Sequence, residues 1–178
     1  NERGWLLSIN DGISALSAPA DMFGQSLYYE SHGGTAYIGS PQYNGNLFGQ
    51  KVSIRRFDEF FSYRYDESDR LKEGFRESYG TGAVQFDEFS YDANGNITRQ
   101  AFADGLVKSY HYHTNTNKLT TVDNELLKPD DTLTYDAMGN VIGHSGKRAS
   151  MMYDQANRLV MVTVKTGIGA DTIRYAYD

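Results

Sequence analysis

The sequence predicts an all-β chain, mostly antiparallel, and three observations predict it. A tyrosine-centred segment recurs through residues 61–178 with large side chains two positions apart, the spacing that places them on one face of a strand. Each copy is followed by Gly, Asn or Asp where a tight turn would fall, and these are the residue types such turns accept. No stretch repeats apolar residues at intervals of three and four, so no helix is expected. Composition agrees, with 14 Tyr and 18 Gly but only 3 Pro in 178 residues, a mixture suited to short strands and tight turns.

Residues 1–60 read as an irregular, repeat-like β segment. Within it Trp5–Ile9 and Ser26–Tyr29 suggest strands, and Gly33-Gly34 and Asn44-Gly45-Asn46 suggest turns. From residue 61 the copies are Tyr63-Arg64-Tyr65-Asp66, Phe89-Ser90-Tyr91-Asp92, Tyr110-His111-Tyr112-His113, Leu133-Thr134-Tyr135-Asp136, Met151-Met152-Tyr153-Asp154 and Tyr175-Ala176-Tyr177-Asp178. That makes about five repeats, the last truncated. Tyr43-Asn44-Gly45-Asn46-Leu47 reads as a shorter relative. The key tyrosines stand 18 to 26 residues apart, so the motif is fixed and the connections vary.

Each position has a physical reading. The side chain two before the key tyrosine shares its face, giving a buried stripe that Leu71, Ile97, Leu119, Val141 and Leu159 extend on the returning strand. Aspartate after the tyrosine (Asp66, Asp92, Asp136, Asp154) can accept the backbone amide two residues on, as an Asx-turn. Four residues after the tyrosine come Asp69, Gly95, Gly139 and Asn157, with Asn117 the match in the third copy; these types tolerate positive φ. The unit is strand, tight turn, returning strand, looser connection. Pro19, Pro41 and Pro129 all fall outside the motif cores, as proline must in a sheet.

Composition also excludes function classes. The 13% aromatic content argues against disorder. No window is apolar enough to span a membrane, and the opening Asn1-Glu2-Arg3 is not a signal peptide. Absence of cysteine removes disulfides and thiolate chemistry. A net charge of -6, with Arg55-Arg56 and Lys147-Arg148 the only adjacent basic pairs, argues against nucleic-acid binding.

Tyr91-Asp92-Ala93-Asn94-Gly95-Asn96 and Tyr135-Asp136-Ala137-Met138-Gly139-Asn140 resemble the Tyr-Asp-x-x-Gly-Asn hallmark of the YD repeats of the RHS family. The Arg-Leu variant of that hallmark stands at Tyr65–Leu71 and Tyr153–Leu159, the latter with Arg158 before the leucine. The N-terminal third is similar to bacterial members through Arg3-Gly4-Trp5-Leu6, Asp21-Met22-Phe23-Gly24 and Gln42–Asn46. The resemblance implies a β-strip of two-stranded YD repeats, a segment of a spiral β-sheet shell. In toxin members the shell encloses a C-terminal toxin; in teneurins it serves adhesion. The implied role is structural, in a larger secreted or surface protein. The implied partners are the rest of that polypeptide's shell and the toxin it encloses. The RHS core segment that carries self-cleavage has no match among these residues. The third repeat departs from the pattern, with His113 in the aspartate position.

Candidate chemistry is weaker than its plain alternatives. His111 and His113 share a face but supply half of a tetrahedral metal site. Asp92–Asn96 imitates the start of a calcium loop, but Ile97 and Ala103 hold the places that need Gly and Glu. Gly143-His144-Ser145-Gly146-Lys147 satisfies neither a nucleophile elbow nor a P-loop and reads as a hairpin loop. In Asp58-Glu59 and Asp87-Glu88 adjacent strand residues point to opposite faces, so neither dipeptide is a catalytic dyad. The expectation is therefore no enzyme, no cofactor and no metal. The rival function is a glycan- or cell-surface-binding module in which tyrosines stack sugars; burial of Tyr65, Tyr91, Tyr112, Tyr135 and Tyr153 favours the structural role. An open strand edge near 171–178 is expected to promote self-association.

Overall fold

A computed structural model describes residues 3–10, 23–30, 39–54, 57–78, 82–124 and 129–178. The described residues form fourteen strands, ordered in the sheet as in the chain. They are β1 (Ser8–Ile9), β2 (Phe23–Tyr28), β3 (Gly49–Ile54), β4 (Phe57–Tyr65), β5 (Leu71–Ser78), β6 (Gly82–Tyr91) and β7 (Ile97–Phe102). There follow β8 (Val107–Tyr112), β9 (Leu119–Asn124), β10 (Asp131–Tyr135), β11 (Val141–His144), β12 (Ala149–Tyr153), β13 (Leu159–Lys165) and β14 (Ala170–Arg174). No helix occurs among the described residues, and none there is long and apolar enough to cross a membrane. The fold is all-β, and within each unit the strands pair antiparallel with their neighbours in sequence.

The chain falls into two compact units, Asn1–Ser90 with Ala101–Gly105, and Tyr91–Gln100 with Leu106–Asp178. The first holds the best-buried side chains. Phe48 and Ser62 are fully enclosed, with Phe75 nearly so. Phe48 is held by its backbone: its amide donates to the Tyr28 carbonyl (3.0 Å) and its carbonyl accepts the Tyr63 amide (2.9 Å). The Phe86 ring lies over Gly74, where a β-carbon would stand 2.6 Å from the ring tip, and meets Phe61 edge-on at 6.0 Å. The register shifts between Gly74 and Phe75 at this point.

Two N-terminal elements differ in extent from the sequence reading. The first strand is only Ser8–Ile9, because Trp5 leaves the ladder to pack against Tyr29 at 4.9 Å with the Arg3 guanidinium 5.1 Å from its ring centre. The second begins at Phe23 rather than Ser26 and ends at Tyr28. The Asn44–Asn46 turn is present, with φ 99° at Gly45 and the Asn46 amide donating to Asn44 Oδ1 (2.9 Å). The Gly33-Gly34 turn lies outside the described residues.

The second unit repeats one hairpin design. Tyr112 faces Leu119, Tyr135 faces Val141 and Tyr153 faces Leu159, and the register shifts immediately before each tyrosine. The same shift precedes Tyr65, which faces Leu71, in the first unit. One extra residue on each returning strand (Lys72, Thr120, Ile142, Val160) makes the shift, a β-bulge that re-aims the tyrosine. These four tyrosines and Tyr91 are half-buried, as are Leu71, Ile97, Leu119, Val141 and Leu159.

The turns have the expected left-handed residues at Asp69 (φ 61°), Gly95 (85°), Gly139 (92°) and Asn157 (59°). In the third repeat the expectation of Asn117 is corrected to Asn115 (φ 59°). Four residues after Tyr112 stands Thr116, a β-branched type that resists the left-handed region. Its hydroxyl instead donates to the His113 carbonyl (2.9 Å) and accepts the Lys118 amide (3.2 Å), replacing the missing aspartate. Gly139→Val is expected to cost roughly 1–2 kcal/mol, the penalty of a β-carbon in this backbone region, and should also crowd Lys118 Nζ, 3.2 Å from where that carbon would sit. Ala137→Val, outside the slot, should cost less in a urea titration; equal midpoints for the two variants would remove the conformational argument.

Candidate functional site

The residues the sequence singles out assemble into two linked devices, a carboxylate-clamped turn and a tyrosine tie to the preceding hairpin. In the turn, Asp66 Oδ1 accepts the amides of Ser68 (2.9 Å) and Arg70 (3.0 Å), and Oδ2 accepts Arg70 Nε (2.7 Å). Asp154 repeats this with Ala156 and Arg158. Asp92 does so with Asn94 and Asn96, and Asp136 with Met138 and Asn140. A second pair of backbone bonds closes each loop; Asp136, for example, donates to Asn140 and accepts from Gly139. The residue before the aliphatic is therefore Asn or Arg because its side chain must reach back to the carboxylate.

These bonds hold all four carboxyls below the ordinary aspartate range. In Asp92 and Asp136 the Asn side chain is the largest cause; in Asp66 and Asp154 it is the Arg backbone amide. The sign follows from linkage: a depressed native pKa contributes stability above the unfolded value of about 3.9 and loses it as pH falls through the native one. The melting temperature is thus expected to drop as pH falls below about 4. Replacing Asp92 and Asp136 with asparagine should flatten the drop; an unchanged acid profile would show the clamps are not the titrating groups.

The tie is the tyrosine hydroxyl. Tyr65 donates to the Leu47 carbonyl (2.5 Å), Tyr112 to Ile97 (2.8 Å), Tyr135 to Leu119 (2.7 Å) and Tyr177 to Leu159 (2.7 Å). Ile97, Leu119 and Leu159 are the aliphatics that restart the strand of the preceding repeat, and Leu47 stands two residues before β3. Burial raises Tyr65, with Tyr63 beside it, to about 12; burial also raises Tyr112, aided by Asp92 and Tyr110. The neutral, donating phenol is therefore the form present in the fold. Side chains of successive turns also touch. Asn46 Nδ2 reaches the Asp69 carbonyl, Asn96 reaches Asn117, and Asn140 reaches Asn157, at 2.9–3.1 Å. Lys118 and Arg158 lie over the Tyr135 and Tyr177 rings at 5.6 and 4.7 Å.

Residues suspected of chemistry are placed elsewhere. His111 and His113 are exposed, and no cluster of metal-binding side chains occurs among the described residues. Asp58 pairs with Lys51 (2.8 Å) and Glu59 approaches Arg76 (3.9 Å). Asp87 faces Gly74 and Glu88 faces Glu73 across β5 and β6. Gly143 to Lys147 span the end of β11 and the loop before β12. Asp178 is exposed. Sequence reasoning missed the acceptors of the tyrosine hydroxyls, since main-chain carbonyls leave no trace in residue identity. The regular presence of an aliphatic six residues after Tyr65, Tyr91, Tyr135 and Tyr153, and seven after Tyr112, is the available signal.

The geometry defines an antiparallel repeat strip whose hairpins are tied in series. No known family profile matches the chain, and no curated protein does. Among solved structures it is similar to the crystal structure of TcdB2-TccC3-Cdc42, with a TM-score of 0.61 and 16% identity over 89% of this chain and 9% of that one. TcdB2-TccC3 without its hypervariable C-terminal region gives 0.59 and 16% over 82% and 7%. The Photorhabdus luminescens Tc holotoxin pore gives 0.55 and 16% over 80% and 8%. The fold is thus RHS-like, and the chain spans less than a tenth of the length of each of these three.

Proposed function

We propose that this chain is a structural wall segment of a larger RHS/YD-repeat protein, secreted or displayed at a cell surface, that encapsulates a C-terminal toxin. It works without catalysis, metal or cofactor, and its partners are the rest of its own shell and the enclosed domain. The observation that carries this reading is the serial tie, in which a motif tyrosine of one hairpin bonds the restart carbonyl of an earlier one. Such a device extends a strip indefinitely, as a wall requires, and uses the tyrosines for packing rather than display. The likeness to TcdB2-TccC3 chains supports the same reading at the level of fold.

Antibodies raised against the 178-residue chain test it on the native protein. The reading predicts a polypeptide several times larger than 20.0 kDa, with a domain that resists protease until the shell is denatured. A native product of the size of this chain, or a toxin-like domain digested at once, would defeat it. The exposed β14 edge, with Ile173 and Tyr175 uncovered, is the place where the isolated chain would pair with a second copy.

A further inference from the structure

The second unit carries an open depression of about 400 Å³ on β10–β13 whose lining holds Arg148, Lys165 and His144 but no carboxylate and no Phe, Tyr or Trp. Its geometry follows from register. Thr134 faces Gly143, which faces Ser150, which faces Thr163. One step along the strands, Thr132 bonds Ser145, and the Lys165 amide donates to the Arg148 carbonyl (3.0 Å). Strand alternation puts Thr132, Thr134, Gly143, Ser150 and Lys165 on one face, and Arg148 lines the same depression from the turn before β12. Asp131 and Asp171 occupy the alternate positions, opposite Val122 and Val164, and so leave this face without negative charge.

Two features carry a structural cost. Arg148, in the turn before β12, and Lys165, at the end of β13, bring like charges into one lining, and like charges set opposite one another are unfavourable. Arg148 also sits at φ 48°, whereas the other non-glycine residues with positive φ are all Asn or Asp. A left-handed residue closing a hairpin loop is ordinarily glycine; here Gly146 lies two positions earlier and an arginine takes the strained place. Arg148 closes the turn from Ser145, its amide donating to the Ser145 carbonyl (2.9 Å), and strain held there by a charged side chain beside a second cation is the kind that a binding site retains.

We propose that this face binds the sulfate ester of an anionic saccharide. Arg148 and Lys165 supply charge-assisted bonds to the oxyanion, the hydroxyls of Thr132, Thr134 and Ser150 meet sugar hydroxyls, and Gly143 seats the Thr134 hydroxyl on the floor, 2.5 Å from where a β-carbon would stand. The absence of an aromatic platform separates this mode from the stacking of neutral sugars. The site is independent of the encapsulation reading and stands or falls separately.

Calorimetric titration of the full chain at low ionic strength tests it, with a sulfated disaccharide, its unsulfated counterpart, inorganic sulfate and inorganic phosphate as probes. The sulfated sugar is expected to bind more tightly than the other three. Arg148→Asn and Lys165→Gln should each weaken it by about tenfold or more, the loss of one charge-assisted bond, while Lys72→Gln leaves it unchanged. Arg148→Asn should keep or raise the melting temperature, because asparagine tolerates the left-handed region, so lost binding will not reflect unfolding. Equal affinity for sulfated and unsulfated sugar overturns the proposal. So does equal affinity for the sulfated sugar and an inorganic anion, or undiminished binding by both variants.

Discussion

Phe48→Ala is expected to lower the unfolding free energy by about 3–5 kcal/mol, the range for truncating a buried phenylalanine. Phe48 is 0% exposed in a chain where few side chains are fully enclosed, so little else in the first unit can compensate. Collapse around the cavity is also restricted. The Phe48 backbone is bonded to Tyr28 and Tyr63, and Gly39 packs so closely that a β-carbon there would lie 2.5 Å from the Tyr63 carbonyl and 2.7 Å from that of Phe48. Urea unfolding followed by tryptophan fluorescence measures the loss, since Trp5 is the single indole. A change below about 1 kcal/mol, the level of an ordinary surface substitution, would mean that the segment carrying Phe48 is not docked.

Gly74→Val is expected to cost about 2 kcal/mol, from overpacking of roughly 1–3 kcal/mol less the entropy a strand glycine gives back. The side chain would occupy the place of the Phe86 ring and force it off the sheet. The test lies in coupling. With Phe86→Ala already present, Gly74→Val should become nearly neutral, because the two changes share one contact. Additive losses would show that the ring does not cover the glycine.

The repeat was legible because each copy needs the same three things. A large side chain must flank Tyr, a side-chain oxygen must clamp the turn (a carboxylate in all but the third), and Gly, Asn or Asp must take positive φ. Asp66, Asp92, Asp136 and Asp154 announce their role by position alone. The third turn was legible only in part: the departure at His113 signalled a looser loop, but choosing between Asn115 and Asn117 required knowing that the Thr116 hydroxyl would close it. The bulges at Lys72, Thr120, Ile142 and Val160 left no residue signature, since any side chain can stand there. Arg148 was read as half of a short basic pair, and its strain is a backbone property that residue type conceals. The N-terminal strands were harder still, because Trp5 is apolar enough to suggest a strand yet finds its partners in Arg3 and Tyr29.

The central claim is that the aspartate clamp fixes each turn and the tyrosine tie holds successive hairpins together. Amide hydrogen exchange, read residue by residue in Asp136→Ala and Tyr135→Phe, tests it most directly. The account predicts that Asp136→Ala loses protection at Met138 and Asn140, whose amides the carboxylate accepts. Tyr135→Phe should lose it on β9 and β10, which the Leu119 bond joins, with protection in the first unit unchanged in both. Full protection at Met138 and Asn140 without the carboxylate, and an unaltered β9 without the hydroxyl, would contradict it.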